Sequence, residues 1–500
     1  RIAADSCTFQ LQLSAGTSRE IALAGPGGFK TPAGLTPVAN QNLHGEDVSA
    51  DYIIITHPDF LAAANRLKNY RETSPGNALK TLVVDVNQIY NEFGGGLLSP
   101  QAIRNYLRYV SSSWTQAPRY VLLFGDGDYD YRRIVGTSPN WIPPWETAES
   151  FIPISTFSSD DAYVIFNTVD RVNLALGRLT PRSAQEANIL VDKIMEYETG
   201  SATDPWKLRF TFVADDGPQA PGVNDGFIHT EQADDISGLV PGLFEKRKIY
   251  LYEYPTVIAP GGRRKPAVNL AIQNAINQGT LVLNFTGHGN PRLWTNEVVF
   301  VRESDFAELH NAGKYFFLVA ATCNYAHFDQ LNDQSGAEVL TGMQRAGAIG
   351  VFSATRPVFS FDNFVLNETL YRNLLETDSL GRVLPQRIGD VIYRTKQVRT
   401  SDNDRKYFLL GDPTLQLSYP KFYATVDSIN HLSSNQVTQL RALQRAEVRA
   451  TVRDTATGQP IDFAGKAQVV VYDANHGVAL TDPETNASFT YVASGSSLFR

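Results

Sequence analysis

Two cysteines in 500 residues, Cys7 and Cys323, are too few for a disulfide framework and too remote from each other for a metal-ligand spacing. No uninterrupted apolar run approaches the roughly 18 residues that a membrane-spanning helix needs. Basic residues are in deficit. The 44 Lys and Arg stand against 52 Asp and Glu, a formal net charge of −8, and no concentrated Lys/Arg face offsets it, which argues against a nucleic-acid partner. What is present is core material: 43% of residues are apolar and 11% aromatic, enough for the two or three domains that 500 residues predict. The sequence starts at Arg1 rather than Met and stops at Arg500 within β-like sequence, so it reads as a fragment or processed form of a longer protein, with any signal peptide outside it.

Residues 1–50, with QLQLSAG, GPGGFK and TPAGLTPVAN, are rich in Gly, Pro and Ala and lack a helical period. They read as a β-rich remnant of an N-terminal domain plus a linker. GPGGFK has neither the spacing of a phosphate loop nor a helix after it, so it reads as a turn. From residue 51 strand and helix signals alternate. YIIIT (52–56), TLVVDV (81–86) and YVLLFGD (120–126) read as parallel strands joined by amphipathic helices, one with Phe60, Leu61, Ala64, Leu67 and Tyr70 on a face, the other started by Ser99 and Pro100. An irregular segment runs to about residue 180, and Ser183 with Glu186 predicts a capping box. A second α/β half has strands at 209–214, 248–253, 280–286, 316–321 and 348–354, a last one at 410–417, and helices near 267–278, 335–346, 362–376 and 386–397. The domain boundaries expected are therefore 51–204, 205–420 and a final 421–500, where apolar and polar residues alternate between turns as in an antiparallel sandwich.

The chemistry-bearing residues stand at two of those strand ends. His288 lies in Thr-Gly-His-Gly after one apolar strand, and Cys323 follows the next. Loops beyond the carboxyl ends of parallel strands meet at one sheet edge, so the two can become a thiol nucleophile and its base. Each alone also fits a bland role, a turn histidine and a packed cysteine. Cys323 and His327, four apart, with His288 as a third ligand, would give a metal site, but CNYAHFD reads as a loop and neither a second nearby Cys nor an HExxH pattern supports zinc. Asp126, Asp128 and Asp130 have the alternating spacing of a calcium loop without its glycine or closing Glu.

The order strand, GHG, strand, Cys, together with YVLLFGD, SDDAY (159–163), LGRL (176–179) and GDPTL (411–415), resembles the gingipain-type cysteine peptidases of the caspase-like clan. Within that family DYIIITHPDFLAAANRLK, FGDGDYDY, SSDDAY and ATCNYAHFD are most similar to the sortases of the bacterial type IX secretion system. The resemblance covers about 51–420. It implies an α/β fold, a caspase-like αβα sandwich of two subdomains, followed by an all-β immunoglobulin-like domain. It implies Cys323 as nucleophile, His288 as general base, the main-chain N–H groups of Gly289 and Cys323 as oxyanion donors, and Asp216, or else Asp215, as the carboxylate that orients His288. The arginine-specificity Asp of gingipains falls on Gly226, with Asp225 beside it, so that specificity is not expected. Arg356 and Phe359 are implied as pocket walls and Trp294 as a cover over the site. No cofactor is required for the chemistry; a structural calcium would sit on Asp126, Asp170 and Asn173, the last a neutral departure from the family's acidic set. The sortase resemblance further implies exported cargo proteins with C-terminal sorting domains as substrates, anionic lipopolysaccharide as acceptor, an outer-membrane PorV-like partner, and a place on the bacterial cell surface, peripheral to the outer membrane. A secreted gingipain-like endopeptidase and a non-catalytic surface scaffold are the rival readings.

Overall fold

The computed structural model describes residues 37–74, 77–200, 204–220, 222–379, 382–420, 422–433, 445–464, 471–495 and 497–499, and before them 2–3, 6–7, 10–12, 25–28, 31–32 and 34–35. Two compact units divide the chain, 1–42 and 43–500. In the first, Ile2–Ala3 pairs antiparallel with Ser6–Cys7, and a 3-10 turn, Pro26–Gly28, occupies the GPGGFK segment.

The second unit is built on one ten-stranded sheet. Its strands in chain order are β1 (Tyr52–Thr56), β2 (Thr81–Asp85), β3 (Tyr120–Phe124), β4 (Ala175–Leu179), β5 (Arg209–Ala214), β6 (Glu245–Tyr250), β7 (Val282–Thr286), β8 (Phe316–Ala321), β9 (Ala348–Ala354) and β10 (Tyr407–Leu410). Across the sheet they run β6-β5-β7-β8-β9-β10-β4-β3-β1-β2. All neighbours are parallel except β9 and β10. Helices fill the crossovers: α1 (Leu61–Thr73), α2 (Val86–Phe93), α3 (Pro100–Ser113), α4 (Ala184–Thr199), α5 (Ile228–Gly238), α6 (Pro266–Gln278), α7 (Gly336–Gly342), α8 (Ser360–Leu374) and α9 (Ile388–Val398). Alternate strand residues point to opposite faces. Ile54, Leu122 and Phe212 join the largest cluster with α1, α4, α5, α8 and α9. Ile53, Ile55 and Leu123 pack under α2 and α3, and Val213, Leu283 and Leu318 under α6 and α7. Among the described residues no helix is long and apolar enough to cross a membrane.

Several boundaries differ from the sequence reading. The strand expected at 248–253 sits three residues earlier, because Leu251–Glu253 turns into a 3-10 helix. The strand expected at 410–417 ends where it was to begin. Asp412 accepts the N–H and hydroxyl of Thr414 at 2.8 and 2.7 Å, closing a turn that Pro413, lacking an N–H, cannot extend as a ladder. Strand β4 lies inside the segment read as irregular, disguised by Gly177 and Arg178. A Cβ at Gly177 would lie 2.2 Å from the Gly411 oxygen, so the glycine admits the turn after β10. At the start of α4, Ser183 accepts the Glu186 N–H, but Glu186 reaches back to the Arg182 N–H instead of completing the capping box.

Three motifs turn out to be one buried scaffold. Fully buried Arg178 of LGRL forks onto Asp160 of SDDAY at 2.7 and 2.8 Å. Asp161 receives the Lys396 ammonium at 2.5 Å. Asp412 of GDPTL holds Arg71 at 2.7 Å and the Tyr52 hydroxyl at 3.1 Å.

After residue 420 the described strands are antiparallel: Phe422–Ile429 with Val448–Asp454, and the hairpin His476–Thr481 with Ser488–Ala493. They form the all-β, immunoglobulin-like C-terminal part. The hairpin buries Leu480 and Tyr491 in the core of the α/β part. At its turn Asp482 accepts the Tyr252 hydroxyl at 2.5 Å and the Asn224 amide at 3.2 Å.

Candidate active site

Strands β7 and β8 are parallel and in register, Thr286 opposite Ala321. His288 and Cys323 therefore each stand two residues beyond a matched strand end. Both glycines around His288 are demanded by close approach. A Cβ on Gly287 would lie 2.4 Å from that of Asp215, and one on Gly289 would lie 2.7 Å from Thr322 Oγ1, next in sequence to Cys323. Asp215 uses the room to accept the His288 main-chain N–H at 3.0 Å. The loop continues as a narrow ribbon, Asn290 N–H to Leu293 O at 3.0 Å and Thr295 N–H to His288 O at 2.9 Å. That pattern leaves the Gly289 N–H unused, and the Cys323 N–H likewise meets no acceptor among the described residues. Both are open as oxyanion donors.

The imidazole of His288 is half-exposed, with Nε2 2.7 Å from Asp225 Oδ2. Asp225 precedes α5 on a loop held by Asp225 N–H to Gly217 O and by the Tyr252 hydroxyl, which accepts the Gly217 N–H at 2.9 Å. An Nε2–H donated to this carboxylate leaves the lone pair on Nδ1, the tautomer that can take a thiol proton. The Cys323 thiol is partly buried and directed at the Val358 oxygen, 3.6 Å away, and makes no hydrogen bond to His288. The neighbouring Pro357 carbonyl accepts the Lys406 ammonium at 2.8 Å, whose pKa burial lowers. Thiol and ammonium thus meet consecutive carbonyls of one segment.

The carboxylate expected to orient His288 does not. Asp216 is buried on Arg263 at 3.0 Å and Lys265 at 3.2 Å, and burial, with Glu297 nearby, raises its pKa to about 6. Asp215 meets only the main chain of His288, and burial raises its pKa strongly. Asp225 is the group the sequence reading passed over; the available signal was an acid nine residues on in the same loop.

Trp294 does not cover the site. It is fully buried, stacked on Phe285 at 4.2 Å and 4°, because the ribbon folds it under the sheet edge. Arg356 is not free to line a pocket: its guanidinium forks onto buried Asp329. Phe359 is 58% exposed one residue beyond the carbonyl that the thiol meets. The metal reading of Cys323, His327 and His288 has no assembled ligand set among the described residues, since His327 Nε2 faces Asp329 at 3.5 Å.

The calcium residues are not brought together either. Tyr120 pairs with Ala175 and Phe124 with Leu179, so Asp126 lies beyond the carboxyl end of β3 and Asn173 before the amino end of β4, with the strand length of about 13 Å between them. Asp126 is paired with Arg182 at 2.7 Å. Exposed Asp170 is paired with Arg405, and Asn173 accepts the Phe166 N–H at 2.9 Å. Asp128 and Asp130 close their own loop, the latter accepting three main-chain N–H groups at 2.7 to 2.8 Å.

The model of peptidase family C25 matches residues 46–418. The chain belongs to peptidase family C25. Cysteine peptidases of this family need no cofactor for catalysis. The mature and pro-domain complex of Porphyromonas gingivalis RgpB superposes with a TM-score of 0.56 at 19% identity, covering 75% of this chain and 82% of that one. The Arg-specific cysteine proteinase gingipain R gives 0.57 at 18%, covering 77% and 83%. Dimeric latent PorU from Porphyromonas gingivalis is 21% identical over 91% of this chain and 38% of its own, with a TM-score of 0.42. No curated protein matches the sequence. The C25 fold thus accounts for the sheet that carries His288 and Cys323 to one edge.

Proposed function

We propose that this C25 cysteine peptidase works as a sortase of the type IX secretion system, with Cys323, His288 and Asp225 as its catalytic groups. The observation that carries the chemistry is the matched placement of His288 and Cys323 beyond paired strand ends, with Asp225 on Nε2. On this reading the thiol turns away from the Val358 oxygen toward Nδ1 to give up its proton. The thiolate attacks the scissile carbonyl; the N–H groups of Gly289 and Cys323 take the developing oxyanion; the imidazolium gives its proton to the leaving amine. The acyl-enzyme is then released by water, as hydrolysis, or by an amine, as ligation.

The sorting role rests on the motifs most similar to those of PorU: the start DYIIITHPDF, FGDGDYDY, SSDDAY and ATCNYAHFD. On that reading the substrate is exported cargo, its C-terminal sorting domain is removed, and the new carboxyl end passes to an amine of anionic lipopolysaccharide. The protein then acts at the cell surface, peripheral to the outer membrane, beside a PorV-like partner.

Incubation of the protein with a cargo retaining its sorting domain, read by mass spectrometry, tests this. Loss of the domain that disappears with Cys323→Ala is expected, and processing unchanged by that substitution would sink the proposal. Rapid turnover of short peptides with no action on cargo would favour a plain endopeptidase.

A further inference from the structure

His229 has no part in the cleavage steps above, yet it is buried against them. It sits in the first turn of α5 with a side chain 6% exposed, and neither ring nitrogen has a hydrogen-bond partner. Unpaired buried nitrogens are costly, so a partner reaching this ring would relieve a penalty that packing alone leaves in place. It faces the site: its ring meets that of His288 edge-on, centroids 5.1 Å apart at 86°. Its Nε2 is 3.7 Å from Asp225 Oδ2, too long for a hydrogen bond. The donor atoms of Asp225, His229 and His288 all lie within 4.8 Å of one another.

We propose that Asp225, His229 and His288 form an inhibitory site for a divalent transition metal of the zinc type. Two imidazoles and a carboxylate suit Zn2+, and bonds of about 2.0–2.1 Å in a tetrahedron set ligand edges of about 3.3 Å. The observed edges of 2.7 and 3.7 Å bracket that value, so one opens and the other closes by about half an ångström. Half-exposed His288 leaves the fourth position to water. The metal takes the Nε2 lone pair of His288 in place of the proton shared with Asp225. A neutral imidazole then carries its one proton on Nδ1, and a ring protonated there cannot accept the Cys323 proton. Zinc inhibition by this route leaves the thiol uncoordinated. The inhibitory consequence rests on the proposed role of His288 as base; the site does not.

Titration of the full chain, both as the parent and carrying Cys323→Ala, with Zn2+, by calorimetry, and with Co2+, by visible absorption, separates the two. The expected result is one equivalent bound, cobalt d–d bands without a sulfur charge-transfer band, and affinity weakened at least about tenfold by adding Asp225→Asn or His229→Ala. Asp225 is partly exposed, so Asp225→Asn carries the test should His229→Ala fail to fold. Binding abolished by Cys323→Ala, or unchanged by Asp225→Asn, overturns the proposal. A protein that binds zinc in this way but cleaves nothing refutes only the catalytic reading.

Discussion

The Nε2 atom of His288 lies 2.7 Å from Oδ2 of Asp225. A carboxylate from the loop before α5 thereby fixes which nitrogen can face the thiol, and it does so from a position where neither Asp215 nor Asp216 reaches the ring. Asp225→Asn should lower kcat by about 10²–10⁴-fold while leaving the fold intact, since the amide no longer holds the productive tautomer. Steady-state kinetics with a pH profile checks this; an unchanged kcat would remove Asp225 from the machinery.

Trp294 separates a core role from a substrate role. Trp294→Ala should destabilise the protein by about 3–5 kcal/mol, the cost of emptying an aromatic site between Phe285, Phe300 and Tyr325. Trp294→Phe should keep KM near that of the parent. Chemical denaturation and kinetics read the two effects, and a raised KM without lost stability would restore the cover.

Asp160→Ala leaves Arg178 charged and unpaired in the interior. Breaking a buried pair from one side costs about 3–5 kcal/mol, so the urea midpoint should drop sharply. A midpoint within experimental error of the parent would show that the Ile142 carbonyl, 2.9 Å from Arg178, suffices as a partner.

His327 gives the protein an acid-side weakness. Burial lowers its pKa from 6.5 to about 4 even with Asp329 at 3.5 Å. Between those pH values the unfolded chain binds the proton and the folded one does not, so stability is full above 6.5 and falls as pH drops toward 4, by at most about 3 kcal/mol. Thermal melts across that range should be steeper for the parent than for His327→Gln; parallel curves would assign the loss to other groups.

The strands that the sequence revealed were those buried on both faces, YIIIT, YVLLF and FFLVAA, because a continuous apolar run needs no partner to be recognised. Strand β4 and the end of β10 stayed hidden, since Gly177 and Pro413 answer each other across more than two hundred residues. The same limit acts at the site. His288 and Cys323 follow visible strands and could be placed. Asp225 and His229 are positioned by a loop and a helix start whose geometry depends on Tyr252 and Asp482, and Trp294 owes its burial to a ribbon that only the fold defines.

The hairpin turn at Asp482 carries a consequence for what counts as the enzyme. The family match ends at residue 418, but the loop bearing Asp225 is tethered through Asn224 and Tyr252 to a turn sixty-odd residues later. The outer β-module thus splints the loop that carries Asp225, and a chain cut at residue 418 would lose both of those hydrogen bonds. A change in how that module sits would reach the His288 imidazole through two hydrogen bonds, Asn224 to Asp482 and Asp225 to His288.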